Sequence, residues 1–434
     1  MTLSWTELHE AFQEEGIAQN IARAQMLQFG YGSKPLKGSE ILPEKNVPLN
    51  TFRVNQAINR IVAALDGSRY SPAQLQPSSI LVGSYLVDVG YQNTADQMTA
   101  QKLDELTFAL QNEQTGADSG AALLIDFYTN TVRRVVTKNE IDRWEAIIHG
   151  RLTRRGVDGY YEDVIFPRDE TFYAVANGVG DPTTDTPEGS GTVEEPRGWY
   201  TREEDGYDPI DILLHAKDTM EDAGYQVDRI FAPRNVANAF QRNPTVAKVS
   251  NSVITVNAGG TLDGVAQRPS RTVSNEYLLN NELPAIEVYN VSYTTETGVR
   301  KFMEPPRTPE GRDYLVLVGS TDEDSELHPE EEGQSIILPN VLGYFALGTC
   351  TQMSSPGRKI NSRVTTDHPE GIYTEVIQAS IPVIQHPLAI FVIAIDRPAQ
   401  TQAEADRWAE RAGNNVIDMQ EAIRLQRLRY PAAA

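Results

Sequence analysis

The residues that could do chemistry are few and stand far apart. The six histidines, at positions 9, 149, 215, 328, 368 and 386, show no zinc-type spacing, so each reads as an ordinary surface or core side chain. Asp322, Asp324 and Glu326 begin like a calcium loop. Leu327, however, stands where the sharp-turn glycine is needed and Gly333 where the bidentate acid belongs, so a solvated loop is the better reading. Glycine-rich Gly189 to Gly191 falls in a linker. No phosphate loop, nucleophile elbow or dinucleotide fingerprint occurs between a strand and a helix. Cys350 is the only cysteine, which excludes an internal disulfide and a cysteine-based metal cluster and fits a reducing interior. In so acidic a chain, carboxylates close in sequence carry no weight for acid–base work. The expectation is no catalytic residue, no metal and no cofactor.

Composition narrows the classes further. With 434 residues the chain has room for two or three domains at about 150 residues each. Thirty-eight Lys and Arg against sixty Asp and Glu give a net charge of −22, which argues against wrapping nucleic acid but suits a protein that stays near DNA without adhering to it. The longest apolar run, Leu388 to Ile395, is too short to cross a bilayer. Met1 to Gly30 lacks a basic start followed by an apolar block, so a soluble, unexported protein is expected.

The element around which the rest is arranged is a long helix expected over 119–149. Leu124, Tyr128, Val132, Val135 and Val136 recur at three- and four-residue steps, and Ile141, Trp144, Ile147 and Ile148 resume the stripe with charged residues opposite. Asp118 or Ser119 could cap its start, and Gly150 can take the left-handed conformation that ends it. At 1.5 Å per residue such a rod of about 31 residues is roughly 46 Å long.

Before it, Trp5 to Phe29 carries short helical spacing, and Gly30 to Asn50, punctuated by Pro35, Pro43 and Pro48, reads as an extended arm. Thr51 to Leu65 and Ile80 to Val89 suggest a long two-stranded loop with its tip near Ser68 to Gln74; Ala100 to Leu110 is amphipathic. After the helix, Arg151 to Arg154 can pair with Tyr160 to Phe166 as a hairpin, and residues 178–198 form a linker. Asp208 before Pro209 starts a helix running to about Ala223. Strands are expected at Arg229 to Ala232, Tyr314 to Val318, Tyr344 to Thr349, Thr374 to Ile381 and Ala389 to Ile395. Ile286 to Tyr293 should pair with Val299 to Met303, Asn235 to Phe240 should make a helix turn, and Gln402 to Arg429 a last helix with a basic end.

Several of these stretches, in order, resemble the major capsid proteins of tailed bacteriophages, specifically the lambda-type "major capsid protein E" family. The long helix closing on Ala146 to Arg151 is similar to the family's charged helix that enters a hairpin. Trp199, followed by Tyr207-Asp208-Pro209 and Asp211-Ile212, resembles the entry to its axial domain. Asp228 through Pro233, Phe240 and Asn243 to Val249 resembles its strand, helix and loop. Ile286, Val288, Tyr289, Tyr293, Gly298, Val299 and Lys301 resemble a strand pair, with Leu338-Pro339 and Gly348 after it. Ser380, Pro382, Val383, Pro387 and Phe391 to Ile395 resemble the closing strands. The long linker and the extension beyond Asp396 depart from the family pattern.

The resemblance implies an α+β, Hong Kong 97-type phage capsid fold. Its parts would be an N-terminal arm (1–50), an extended β-hairpin loop (51–99), a peripheral domain with spine helix (100–177 and 344–396), a linker (178–204), an axial domain (205–343) and a C-terminal helical extension (397–434). The implied function is a major capsid protein that assembles as hexamers and pentamers into an icosahedral virion shell around double-stranded DNA, without specific DNA binding and with no membrane. Assembly would take place in the host cytoplasm, with portal, scaffolding and decoration proteins as further partners. Two other readings are a cellular encapsulin-like nanocompartment and, from a different class, a soluble acidic hydrolase.

Overall fold

The computed structural model describes residues 7, 9, 10, 30, 31, 34–55, 84–98, 100–111, 116–155, 161–166, 168–176, 199, 200, 208–250, 269–295, 298–308, 311–321, 325–327, 336–338, 341–350, 355–365 and 371–396. The expected loop tip, the 178–198 linker and the last helix lie outside them. The described elements are mixed helix and sheet, and the chain divides into two compact units. The first holds Met1–Val54, Tyr85–Arg143 and Ser325–Val383; the second holds Asn55–Ser84, Trp144–Asp324 and Ile384–Ala434. This grouping draws a different line from the expected domains. The last residues of the spine helix and the closing strand fall in the second unit.

The first unit opens with β1 (Gly30–Tyr31) paired to β2 (Lys34–Pro35), a short helix Lys37–Ile41 and β3 (Glu44–Asn46). β4 (Thr51–Asn55) and β5 (Ser84–Asp88) form the base of the expected hairpin. β6 (Gly90–Gln97), which sequence reading placed in the loop, instead pairs with a later strand. The helix Ala100–Gln111 follows, and then the spine helix, Gly116–His149. At 34 residues it is about 51 Å long. It starts three residues earlier than expected, so Asp118 and Ser119 stand inside its first turn. Its end is as expected: Gly150 takes φ +59° and its N–H bonds Ala146 O at 2.9 Å.

The second unit continues with β7 (Arg151–Arg155) and β8 (Tyr161–Ile165), an antiparallel hairpin, then β9 (Tyr173–Ala176). The helix Pro209–Asp222 begins as its sequence dictates, with the Asp208 carboxylate accepting the Ile210 N–H and proline at the first helical position. β10 (Val227–Ala232), helices Arg234–Arg242, Pro244–Ser250 and Arg271–Asn280, and β11 (Ile286–Val288) follow, then β12 (Ser292–Thr295), β13 (Gly298–Lys301) and β14 (Arg312–Gly319). The expected Ile286 to Tyr293 strand is split. Its first half runs parallel to β10, and its second half makes a separate hairpin with β13.

The chain returns to the first unit with β15 (Ser325–Leu327), β16 (Ile336–Leu338), β17 (Gly343–Gly348), β18 (Arg358–Thr365) and β19 (Gly371–Ile384), and closes in the second with β20 (Ile390–Asp396). The first unit's sheet runs β18-β19-β17-β3 with β6 also on β19; the second unit's runs β11-β10-β14-β20-β9. In the first, Leu124, Phe127, Tyr128, Val132 and Val135 of the spine helix pack with Leu106, Ile360, Ile372 and Val376. In the second, β20 lies between β14 and β9, and its residues from Ile390 to Ile395 are all buried. That two-sided burial is why the strand reads as a continuous apolar run.

Candidate functional site

The spine helix departs most from expectation where its charged residues were to face solvent. From Asn139 to Ile148 every residue is buried, including Glu140, Asp142, Arg143 and Glu145. Buried charges need partners, and in the first unit these come from the arm. Glu140 Oε1 accepts the Gly38 N–H at 2.8 Å, and Arg143 Nε donates to Leu42 O at 3.0 Å. Arg143 also reaches Glu44 Oε1 at 3.5 Å and Glu140 Oε2 at 3.5 Å, and its guanidinium lies 4.4 Å from the Phe345 ring centre. Arg358 Nη2 donates to Glu44 Oε1 at 3.1 Å, and Arg358 Nε to Gln378 Oε1 at 3.0 Å. Asp142 takes Lys138 at 2.7 Å and the Gln92 amide at 2.9 Å. Burial pushes the Glu44 carboxyl up, but Arg358 and Arg143 outweigh it and hold it below the usual range.

This network clasps the arm. Leu36, Ile41 and Leu42 are buried, and β3 runs parallel to β17, with Glu44 opposite Phe345 and Asn46 opposite Leu347. The arm expected to be extended therefore contains the short helix Lys37–Ile41 and buries Leu36, Ile41, Leu42 and Val47.

The hairpin base is pinned just after the arm. Asn50 Nδ2 donates to Thr349 O and Asn50 Oδ1 accepts Thr349 N–H, both at 2.8 Å, while Val89 N–H donates to Asn50 O at 2.8 Å. Gly348 is required here, because a Cβ would lie 2.5 Å from Asn50 Oδ1. On this anchored base Leu49 is 64% and Leu86 67% exposed.

In the second unit the spine helix ends in a different environment. Trp144 stacks on Tyr289 at 5.4 Å and meets Phe231 edge-on at 5.9 Å. Glu145 receives Arg307 at 3.6 Å, Arg151 pairs with Asp163 across the β7–β8 hairpin, and Arg307, 3.8 Å from Asp163, joins that hairpin to the same group. Arg168 Nη1 donates to Ile147 O and Ile148 O at 3.0 Å each, satisfying carbonyls that a helix end leaves open. Burial, with Arg307, Arg168 and Arg312 nearby, pushes the His149 imidazole down to about 3. Trp199, singled out in the sequence, is buried and donates to Val236 O at 3.0 Å.

The sequence named no catalytic, cofactor or metal residue. Among the described residues no group of His, Cys, Asp and Glu is arranged to hold a metal ion, and no helix is long and apolar enough to cross a membrane. The described histidines are dispersed. His9 meets Ser362, His215 lies edge-on to Phe391, and His386 bonds the Tyr225 hydroxyl at 3.2 Å. Asp322 and Asp324 lie outside the described residues, and Glu326 falls in β15.

No family model matches the chain, and no curated protein matches it. Solved structures do. A phage-related protein from Bordetella bronchiseptica is 13% identical over 87% of this chain and 96% of its own, with a TM-score of 0.46. The proposed capsid protein of an Escherichia coli prophage is 12% identical over 91% and 99%, with a TM-score of 0.47. An encapsulin complex from Synechococcus elongatus is 9% identical over 85% and 92%, with a TM-score of 0.36. Phage and encapsulin proteins are what this chain is similar to.

The residues that sequence reading missed are Glu44, Glu140, Arg143, Arg358 and Asn50. A signal was present in the dense charge of Glu140, Asp142, Arg143 and Glu145 around Ile141 and Trp144, which does not keep to one solvent face of a helix.

Proposed function

We propose that this chain is a shell-forming capsid protein with a Hong Kong 97-type architecture, the major head protein of a tailed bacteriophage. The observation that carries this reading is the hairpin base β4–β5. It is held through the Asn50–Thr349 hydrogen bonds, and Leu49 and Leu86 beside it are exposed. The sequence between these strands reads as a long loop, and because a lone hairpin is marginal in water, that loop is suited to lying on a neighbouring copy. The clasped arm and the spine helix supply the rigid support that the docking of many copies demands, since shared surfaces of that size resemble obligate interfaces.

In this reading the spine helix and the β18-β19-β17-β3 sheet form the peripheral domain, and the β11-β10-β14-β20-β9 sheet with its helices forms the axial domain. Copies assemble as hexamers and pentamers around double-stranded DNA. The net charge of −22 favours confinement of the genome without tight adhesion. The ordered resemblance from Trp199 through Asp208-Pro209 to the closing strand favours the phage head over a cellular compartment.

The test is Leu86→Asp together with Leu49→Asp. Both side chains are exposed, so the subunit should stay folded by thermal melting, while large particles disappear from sedimentation profiles. Shells formed at the native yield would contradict the reading.

A further inference from the structure

In the first unit the spine helix keeps one stripe open to solvent. Between buried Gly120 and buried Asn139, its exposed residues are Ala122, Ile125, Asp126, Asn130, Arg133 and Arg134. Leu124, Phe127, Tyr128, Val132 and Val135 are packed into the unit's core, so the stripe is turned away from the chain's own packing. Arg134 is taken by Asp96 on β6 at 2.8 Å. Asp126 and Arg133 differ: among the described residues neither side chain has an ion-pair partner.

Their spacing decides what can pair them. Seven residues advance a helix by about 10.5 Å and close nearly two full turns, so Asp126 and Arg133 share a face yet stand too far apart to meet within one chain. They lie at equal steps on either side of the midpoint between Thr129 and Asn130, which is also the midpoint between Gly120 and Asn139. Turned end for end about that point, the stripe matches itself. Asp126 falls on Arg133 and Arg133 on Asp126, Ile125, 40% exposed, falls on the stem of Arg134, and Ala122 on Thr137. A parallel arrangement would instead set Asp126 against Asp126, and like charges repel.

We propose that this stripe is a two-fold contact between copies of the chain, with the spine helix of one copy lying antiparallel on that of a second. An isologous contact needs a surface that is its own complement, and the paired charges make this one so. Six exposed residues a side, against roughly 20–30 in a standard interface, make the contact weak alone. It gains where other contacts already hold copies together. The pairing deepens the capsid reading, on which it rests, by naming one surface where copies meet.

The experiment is disulfide trapping in the full chain. Cys350, the sole native cysteine, is buried and is changed to Ala, and Asn130→Cys places a thiol beside the two-fold axis. Oxidation with copper phenanthroline should give a covalent dimer on a non-reducing gel. Adding Asp126→Arg or Arg133→Asp should cut its yield several-fold, and adding both together should restore it, since the exchange recreates the pairs only across a two-fold axis. Both positions are exposed, so every variant should melt like the parent. No dimer, single reversals that leave the yield unchanged, or a double exchange that does not restore it would each overturn the proposal. Electron microscopy of the same samples keeps the two readings apart. Shells without the cross-link overturn the pairing and leave the capsid reading standing; cross-linked dimers without shells do the reverse.

Discussion

Glu140 and Gly38 meet across 102 residues of sequence, the buried carboxylate of one accepting the backbone N–H of the other at 2.8 Å. A Cβ on residue 38 would lie 2.8 Å from both Glu140 oxygens, closer than real Cβ contacts come. Gly38→Ala should therefore displace the carboxylate from its N–H and from Arg143. The expected loss is about 2 kcal/mol or more, from overpacking together with an unsatisfied buried group. Denaturant titration of the subunit measures it, and unchanged stability would mean that the arm is not clasped there.

Arg143 offers a sharper test, because its guanidinium serves three partners at once: Leu42 O, Glu44 and Glu140. Arg143→Met leaves two buried carboxylates without that cation, a loss on the order of 3–5 kcal/mol. Arg143→Lys should fail to rescue it, since an ammonium cannot reproduce the planar fork. Both variants should also expose residues 36–47 to protease. Native behaviour in the lysine variant would show that charge alone, rather than fork geometry, holds the arm.

Ile393→Asp separates folding from assembly. Ile393 is fully buried, opposite Leu315 on β14 and Ala174 on β9. An unpaired charge there costs several kcal/mol, so the variant should fail to fold. Arg69→Asp, at the loop tip expected from sequence and outside the described residues, should leave a soluble subunit that assembles poorly. Solubility, melting and shell yield by sedimentation distinguish the two, and normal shells from Ile393→Asp would refute the strand assignment.

The acid dependence of stability should carry the mark of His149. Its imidazole is held near 3 in the folded chain, whereas the unfolded chain binds a proton near 6.5. The folded-state value is the lower one, so stability is complete above about 6.5 and falls as pH drops from there toward 3. The loss is roughly 3 kcal/mol by pH 4. His149→Gln should flatten that part of the profile. An unchanged slope in the variant would remove His149 from the account.

What the sequence disclosed was set by how local its signals were. The helix start at Asp208-Pro209, the left-handed Gly150, the hairpin strand read from Arg151 to Arg154 and the closing strand read from Ala389 to Ile395 all rest on neighbours within a few residues, and each is found within one residue of its expected bounds. The arm clasp does not. Glu140, Arg143 and Arg358 look like solvent-facing charges until Gly38, Leu42 and Glu44 are brought to them from 99 to 314 positions away. β18 was missed for a related reason. Its sequence from Arg358 to Thr365 is mostly polar, and it becomes a strand because β19 offers it a full register from Gln378 to Gly371. The strand expected from Ile286 broke because β10 takes its first half and the β13 hairpin its second.

Electron microscopy of the purified full-length protein tests the central claim most directly. The account predicts closed shells of uniform size built from hexamers and pentamers, lost when Leu49 and Leu86 are changed to aspartate. A protein that stays monomeric at concentrations where the native arm and hairpin are folded, with no shell in any field, would contradict it.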